Sequence, residues 1–190
     1  MEHFYEDIQG FFDGEFLEIY REAVERAPRD RKSTFVEVGC WKGRSAAFMA
    51  VEIANSGKDI ALFCVDTWLG PDKGGMGANP EYQLRDDPEL PIIYDIFCRN
   101  LGQFFFVYPE RMPSVEAAAF FADGSLDFVM IDASHECNDV REDVLSWTPK
   151  LRPDGIIAGD DYSWPGVWRA VNETIGYQNV RRRGRCFVKR

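Results

Sequence analysis

The stretch STFVEVGCWKGRS at residues 33–45 decides how this chain is read. Ser33–Val38 is a short β-rich run, Gly39 opens a turn, and residues 45–56 (SAAFMAVEIANS) read as a helix with Gly57 as its stop. A strand, a glycine turn and a helix start form the opening of a βα unit. Upstream, residues 14–27 place Phe16, Leu17, Tyr20, Ala23, Val24 and Ala27 on one helical stripe, which Pro28 ends. Downstream, residues 60–66 (IALFCVD) are an apolar strand closed by Asp66, and residues 92–101 form a helix stopped by Gly102. Gln103–Val107 reads as a third strand, Ser114–Phe121 as a short helix, and Leu126–Asp132 as a fourth strand. Asp139 and Glu142 have the spacing of a capping box for a helix running to about Lys150. Gly155–Asp160 is a fifth strand, Gly166–Ile175 a last helix, and residues 178–183 and 185–190 a terminal hairpin. The strands are continuously apolar and not alternating, as strands buried on both faces are. The expected fold is therefore α/β, a Rossmann-like three-layer sandwich with a mostly parallel sheet between helices.

Composition bounds the rest. The 190 residues, 45% apolar and 28% charged, read as one globular domain over 1–190, with N-terminal helices in 1–32. Residues 67–91 hold Gly70, Gly74, Gly75, Gly77 and four prolines, and read as a lid-like insert. A net charge of -10 opposes a general nucleic-acid binder, which needs a basic footprint. No apolar run approaches the roughly 18–20 residues of a membrane span. The acidic start Met1-Glu2-His3-Phe4-Tyr5-Glu6-Asp7 is unlike a signal peptide. Five cysteines without a C-x-x-C pair read as reduced thiols, hence a cytoplasmic protein.

In open α/β sheets ligands bind beyond the carboxyl ends of the strands. Each strand here ends in chemistry: Glu37-Val38-Gly39, Asp66, Asp132, and Asp160-Asp161. Any one acid could merely cap the following helix, but four together converge on one crevice. The dinucleotide fingerprint needs glycines at 39, 41 and 44; Trp41 and Arg44 break it, and Trp41 blocks the approach a pyrophosphate demands. The helix start after the turn still offers amide donors to a small anion such as a carboxylate. Asp66 is placed to accept hydrogen bonds from a ribose diol. Asp132, Asp160 and Asp161 form a set of oxygen ligands for a hard divalent cation. His135 is either a structural histidine bonded to a carboxylate or a general base.

These residues resemble a known family. FVEVGCWKGRS resembles motif I, E-x-G-x-x-x-G-x-S, of the class I S-adenosylmethionine-dependent methyltransferases. VDTWLG, YDIFCRNL, SLDFVMIDASHECNDVREDVLSW, KLRPDGIIAGDDY and PGVWRAV resemble, more narrowly, the small family grouped with macrocin-type sugar O-methyltransferases and cephalosporin-hydroxylase-like proteins. The likeness covers about residues 33–175. It implies a seven-stranded sheet with an antiparallel last strand. It implies that Glu37, Gly39, Cys40, Trp41, Gly43 and Ser45 surround the methionine part of S-adenosylmethionine and that Asp66 holds the ribose. Thr67 or Trp68 would flank the adenine with Ser114 at its edge, and Asp132 would lie beneath the sulfonium. In metal-dependent relatives such as catechol O-methyltransferase, the positions of Asp132, Asp160 and Asp161 bind magnesium. Many relatives read Gly-His-Asp where this chain reads Gly159-Asp160-Asp161, and the extra carboxylate favours a metal.

The implied activity is O-methylation of a small hydroxylated acceptor, sugar or phenol-like, with S-adenosylmethionine and magnesium as cofactors. Asp132 and His135 are its catalytic residues, with His135 taking the acceptor's proton. The implied partner is a small molecule, with neither nucleic acid nor membrane, and association of identical chains is left open. Competing readings are a hydroxylase of the cephalosporin type and a non-catalytic S-adenosylmethionine-binding relative. A nicotinamide oxidoreductase is opposed by Trp41 and by the lack of a Tyr-x-x-x-Lys pair. The basic run Arg181-Arg182-Arg183-Gly184-Arg185 reads as a solvated edge strand or as a contact for an anion.

Overall fold

A computed structural model describes residues 1–12, 14–70 and 89–189. A 3-10 turn at Tyr5–Asp7 precedes helix α1 (Glu15–Arg26). Strand β1 (Ser33–Val38), helix α2 (Arg44–Ser56) and strand β2 (Ile60–Asp66) follow. After a 3-10 turn at Leu90–Ile92 come α3 (Ile93–Leu101), β3 (Val107–Arg111), α4 (Ser114–Ala118) and β4 (Leu126–Ile131). The chain closes with α5 (Cys137–Trp147), β5 (Leu151–Gly159), α6 (Pro165–Thr174), β6 (Arg181–Arg183) and β7 (Cys186–Lys189). The expected insert at 67–91 lies mostly outside the described residues.

The seven strands form one sheet in the order β3-β2-β1-β4-β5-β7-β6. The first five are parallel, and β7 runs antiparallel to both β5 and β6. Strand alternation divides the core between the two faces. Phe35, Phe128 and Met130 join α1, α2 and α3 on one face, while Val36, Val38, Val129 and Ile131 join α4, α5 and α6 on the other. Both faces being covered explains why these strands carry no polar alternation. Among the described residues no helix is long and apolar enough to cross a membrane.

One expected strand sits elsewhere, and two expected elements differ at their starts. The third strand is Val107–Arg111, and Phe104 and Phe106 lie in the turn before it. The aromatic run reads as a strand because Phe104 is buried in the core, yet Phe105 is 89% exposed. The real strand is at the sheet edge, where half-burial tolerates Tyr108, Glu110 and Pro109. Helix α5 starts at Cys137 with Glu136 in the N-cap position and no side-chain cap, so Asp139 and Glu142 form no capping box. Asp139 instead accepts a bond from the Ser134 hydroxyl at 2.6 Å. Strand β5 begins at Leu151, ahead of a register shift against β4 between Leu126 and Phe128.

Phe128 stands where α1 meets the sheet. It is 1% exposed, and its ring meets Tyr20 edge-on at 5.7 Å and Phe35 at 5.4 Å. Phe128→Ala should therefore lower stability by about 3–5 kcal/mol, read as a lower urea midpoint at unchanged slope.

Candidate active site

The carboxyl ends of the strands open into a cavity of about 360 Å³. Sheet order lays it out from side to side. Thr67, Trp68 and Leu69 after β2, with Met112 and Ser114 after β3, line one end. Gly39, Cys40 and Trp41 after β1, and Asp132, Ala133, Ser134 and His135 after β4, line the middle. Asp160 and Asp161 after β5, with Arg185 from the β6–β7 turn and Phe11 from the N-terminal segment, line the other end.

The turn after β1 is held by one carboxylate. Asp66 Oδ2 accepts the backbone N–H of Cys40 and of Trp41, each at 2.9 Å, and Oδ1 accepts the N–H of Trp68 at 2.7 Å. Trp41 and Trp68 have φ of 44° and 51°, a conformation costly for large side chains. The Trp68 indole N–H then donates to the Trp41 carbonyl at 2.7 Å, so both peptide groups of Trp41 are gripped. Gly39, at φ 87°, backs onto β4: a Cβ there would stand 2.0 Å from the Asp132 carbonyl oxygen. Only glycine allows the two strand ends to meet this closely.

Glu37 and Gly43, expected at the cofactor, are not among the residues lining the cavity. Gly43 is the N-cap of α2. Glu37 lies beneath the turn, 1% exposed, accepting the Ser45 hydroxyl at 2.5 Å. Burial pushes its carboxyl up to about 7, opposed by the Ser45 bond and by the Tyr20 hydroxyl, which faces it outside hydrogen-bond geometry. Ser45, Gly39, Cys40, Trp41, Asp66, Trp68, Ser114 and Asp132 all reach the cavity. Ser114 accepts the Trp147 indole N–H at 2.8 Å, and burial raises its neighbour Asp143 to about 6.

The acids after β4 and β5 divide into two groups. Asp132, His135 and Asp161 bring one ligand atom each within 4.8 Å of one another. His135 Nε2 stands 2.7 Å from Asp161 Oδ2, while Nδ1 is enclosed and makes no hydrogen bond. Burial, and then the nearby Asp160 and Asp161 charges, raise the Asp132 carboxyl well above the usual range. Asp160 belongs to a different contact: Arg185 Nη2 lies 2.5 Å from its Oδ2, and the Cys186 thiol donates to Oδ1 at 3.4 Å. So the trio that gathers is Asp132, His135 and Asp161, with an imidazole where a third carboxylate was expected.

Several lining residues lie outside the motifs: Gly10, Phe11, Phe12 and Met112 reach the cavity only through the fold, while Arg44 and Arg185 belong to stretches already singled out in the sequence. The arginine run is engaged: Arg183 pairs with Glu22 at 2.6 Å and Glu18 at 3.1 Å, and Arg185 holds Asp160.

This sheet order and this crevice define the class I methyltransferase fold. A methyltransferase-domain family profile matches residues 36–162, and the chain belongs to that family. In overall fold it is similar to the O-methyltransferase NovP, with a TM-score of 0.70 at 18% identity over 92% of this chain and 78% of that one. It is likewise similar to CalS11, a calicheamicin methyltransferase, with a TM-score of 0.68 at 15% identity over 92% of this chain and 76% of that one. In sequence it is 26% identical over 143 residues to the uncharacterised protein y4gI of Sinorhizobium fredii. That match covers 73% of this chain but only 14% of the length of y4gI.

Glu37 supplies a test of the buried turn. An acid whose folded pKa lies above its ordinary 4.5 binds more protons folded than unfolded, so it costs stability as pH rises from about 4.5 to 7. Above that window the cost is roughly 3 kcal/mol. Glu37→Gln keeps an oxygen for Ser45 and should raise the melting temperature at pH 8 while changing little at pH 5. Parallel melting curves of both proteins at the two pH values check this, and equal melting temperatures at pH 8 overturn it.

Proposed function

We propose that this chain is an S-adenosylmethionine-dependent O-methyltransferase acting on a small hydroxylated acceptor. The observation that carries the reading is the joining, in one cavity, of the braced turn after β1 with the Asp132–His135–Asp161 group. S-adenosylmethionine supplies the methyl: the oxygen–methyl bond forms as the sulfur–methyl bond breaks, leaving S-adenosylhomocysteine.

The turn's residues serve to bind and orient. Gly39, Cys40, Trp41 and Ser45 present a wall for the methionine part, and Ser114, Thr67 and Trp68 for the adenine. Asp66 already accepts three amide bonds, so its first task is to hold that wall, with capacity left for a ribose hydroxyl. Alignment of nucleophile and methyl is the main catalytic task.

An alcohol attacks only once its proton leaves. Asp161, 2.7 Å from His135 Nε2, is placed to stabilise the imidazolium that forms when the ring takes that proton. Asp132 and Asp161, with His135 in reach, also suit a divalent cation such as magnesium, which when bound lowers the pKa of an acceptor hydroxyl. The clustering of His135 with the two acids favours a second reading, in which the imidazole is itself a ligand.

Calorimetry with S-adenosylhomocysteine should show binding that Asp66→Ala removes, together with a lower melting temperature as three amides lose their acceptor. Absence of heat and of thermal shift for the wild type at millimolar ligand would sink the cofactor reading.

His135→Ala should lower turnover of labelled S-adenosylmethionine by about 10²–10⁴-fold with cofactor affinity nearly unchanged. Manganese titration of the same variant decides its role: unchanged cation affinity marks a base, weakened affinity a ligand. Full turnover in the variant makes the histidine structural.

A further inference from the structure

At the start of α2 the cavity meets the positive end of a helix. Gly43 is the N-cap and supplies no side-chain hydrogen bond to the first turn, so the amides there keep their capacity to donate. Arg44 and Ser45, the first two residues of the helix, both line the cavity.

Arg44 is held in place. Its Nη1 donates to the Ile8 carbonyl at 2.9 Å, and its guanidinium lies over the Tyr5 ring, 5.6 Å from the centroid. Gly10 packs so closely on its stem that a Cβ there would meet the Arg44 Cβ at 2.8 Å. The Nε–H of the same guanidinium is nevertheless buried and makes no hydrogen bond. The Trp41 indole N–H, on the turn that leads into α2, is likewise buried without a partner. Buried donors are nearly always bonded, so two of them beside one helix start call for an acceptor.

Charge points the same way. Three cations bond to the N-terminal segment: Lys42 to the Gln9 side chain, Arg44 to the Ile8 carbonyl and Arg185 to the Phe11 carbonyl. Lys42 also pairs with Glu89 at 2.6 Å, and Arg185 with Asp160 at 2.5 Å. Arg44 meets a carbonyl and a ring and, among the described residues, no carboxylate. A ligand carboxylate suits this place, since its two oxygens can accept from a guanidinium and from helix amides together. The methionine part of S-adenosylmethionine ends in such a group.

We propose that Arg44 anchors the carboxylate of the cofactor, donating its Nε–H alongside the first-turn amides of α2. This rests on the S-adenosylmethionine reading of the same cavity. In E-x-G-x-x-x-G-x-S, position 44 is one of the open places, so the motif itself assigns it no role.

The test is calorimetry with S-adenosylhomocysteine and with its decarboxylated analogue, which keeps the adenosine, the sulfur and the amine. Wild type should bind the first about 10–100-fold more tightly. Arg44→Gln should weaken S-adenosylhomocysteine by about tenfold or more and leave the analogue unchanged, closing the gap. Arg44→Lys, which keeps the charge and loses the Nε–H, should give an intermediate gap. Equal binding of the two ligands by wild type overturns the anchor. A gap as wide as the wild type's in either variant, or an equal loss for both ligands, also overturns it and leaves Arg44 as a prop for the N-terminal segment. Each of these results leaves the cofactor reading intact. No heat from S-adenosylhomocysteine in wild type overturns the cofactor reading and this one with it.

Discussion

One carboxylate at the end of β2 carries the site. Asp66 bonds three backbone amides, two of them on tryptophans at positive φ. Neither conformation is one that a large side chain adopts by preference. Each persists because a half-buried carboxylate gains more from amide donors than the two backbones lose in strain. The turn after β1 and the loop after β2 are therefore one unit. The cavity wall they form is set before any ligand arrives, which is what a reaction dependent on alignment requires.

The fold was legible because the chain's strands are short, apolar and closed by acids. Phe35-Val36, Leu62 and Val129-Met130 are buried on both faces, and no other layering covers both faces of so many strands. The acids at 66, 132 and 161 were legible as a site for the same reason, since parallel strands deliver their ends to one edge. Legibility failed where burial and local pattern part company. The aromatic run 104–106 is as apolar as a strand, but a turn places only some of its rings in the core. Nothing local shows that Arg185 reaches Asp160, that Lys42 reaches Gln9, or that Phe11 roofs the cavity, because these contacts join residues far apart in sequence. Glu37 shows what a motif position leaves open: it names the residue, and only the fold shows its side chain under the turn, bonded to Ser45.

The acids after β4 and β5 show how neighbouring like charges are accommodated. Asp160 is paired with Arg185 from the terminal hairpin, and Asp161 stands against His135 Nε2 at 2.7 Å. Asp132 has no such partner among the described cations nearby except at a distance through Arg185, and burial leaves its carboxyl raised. The terminal hairpin is thus more than an edge to the sheet: it supplies the charge that lets two consecutive aspartates stand together.

The sheet order has a consequence in time. β1 is complete by residue 38, yet one of its two neighbours is β4, at residues 126–131. Until that strand exists, the inner edge of β1 is unpaired and Gly39 has nothing to back onto. A chain emerging from its N-terminus can make α1, α2 and the β1–β2 pair, but not the floor beneath the turn. Non-local pairing of this kind slows folding and leaves an apolar strand edge waiting for its partner. The motif that is read first in the sequence is among the last parts of the molecule to be finished.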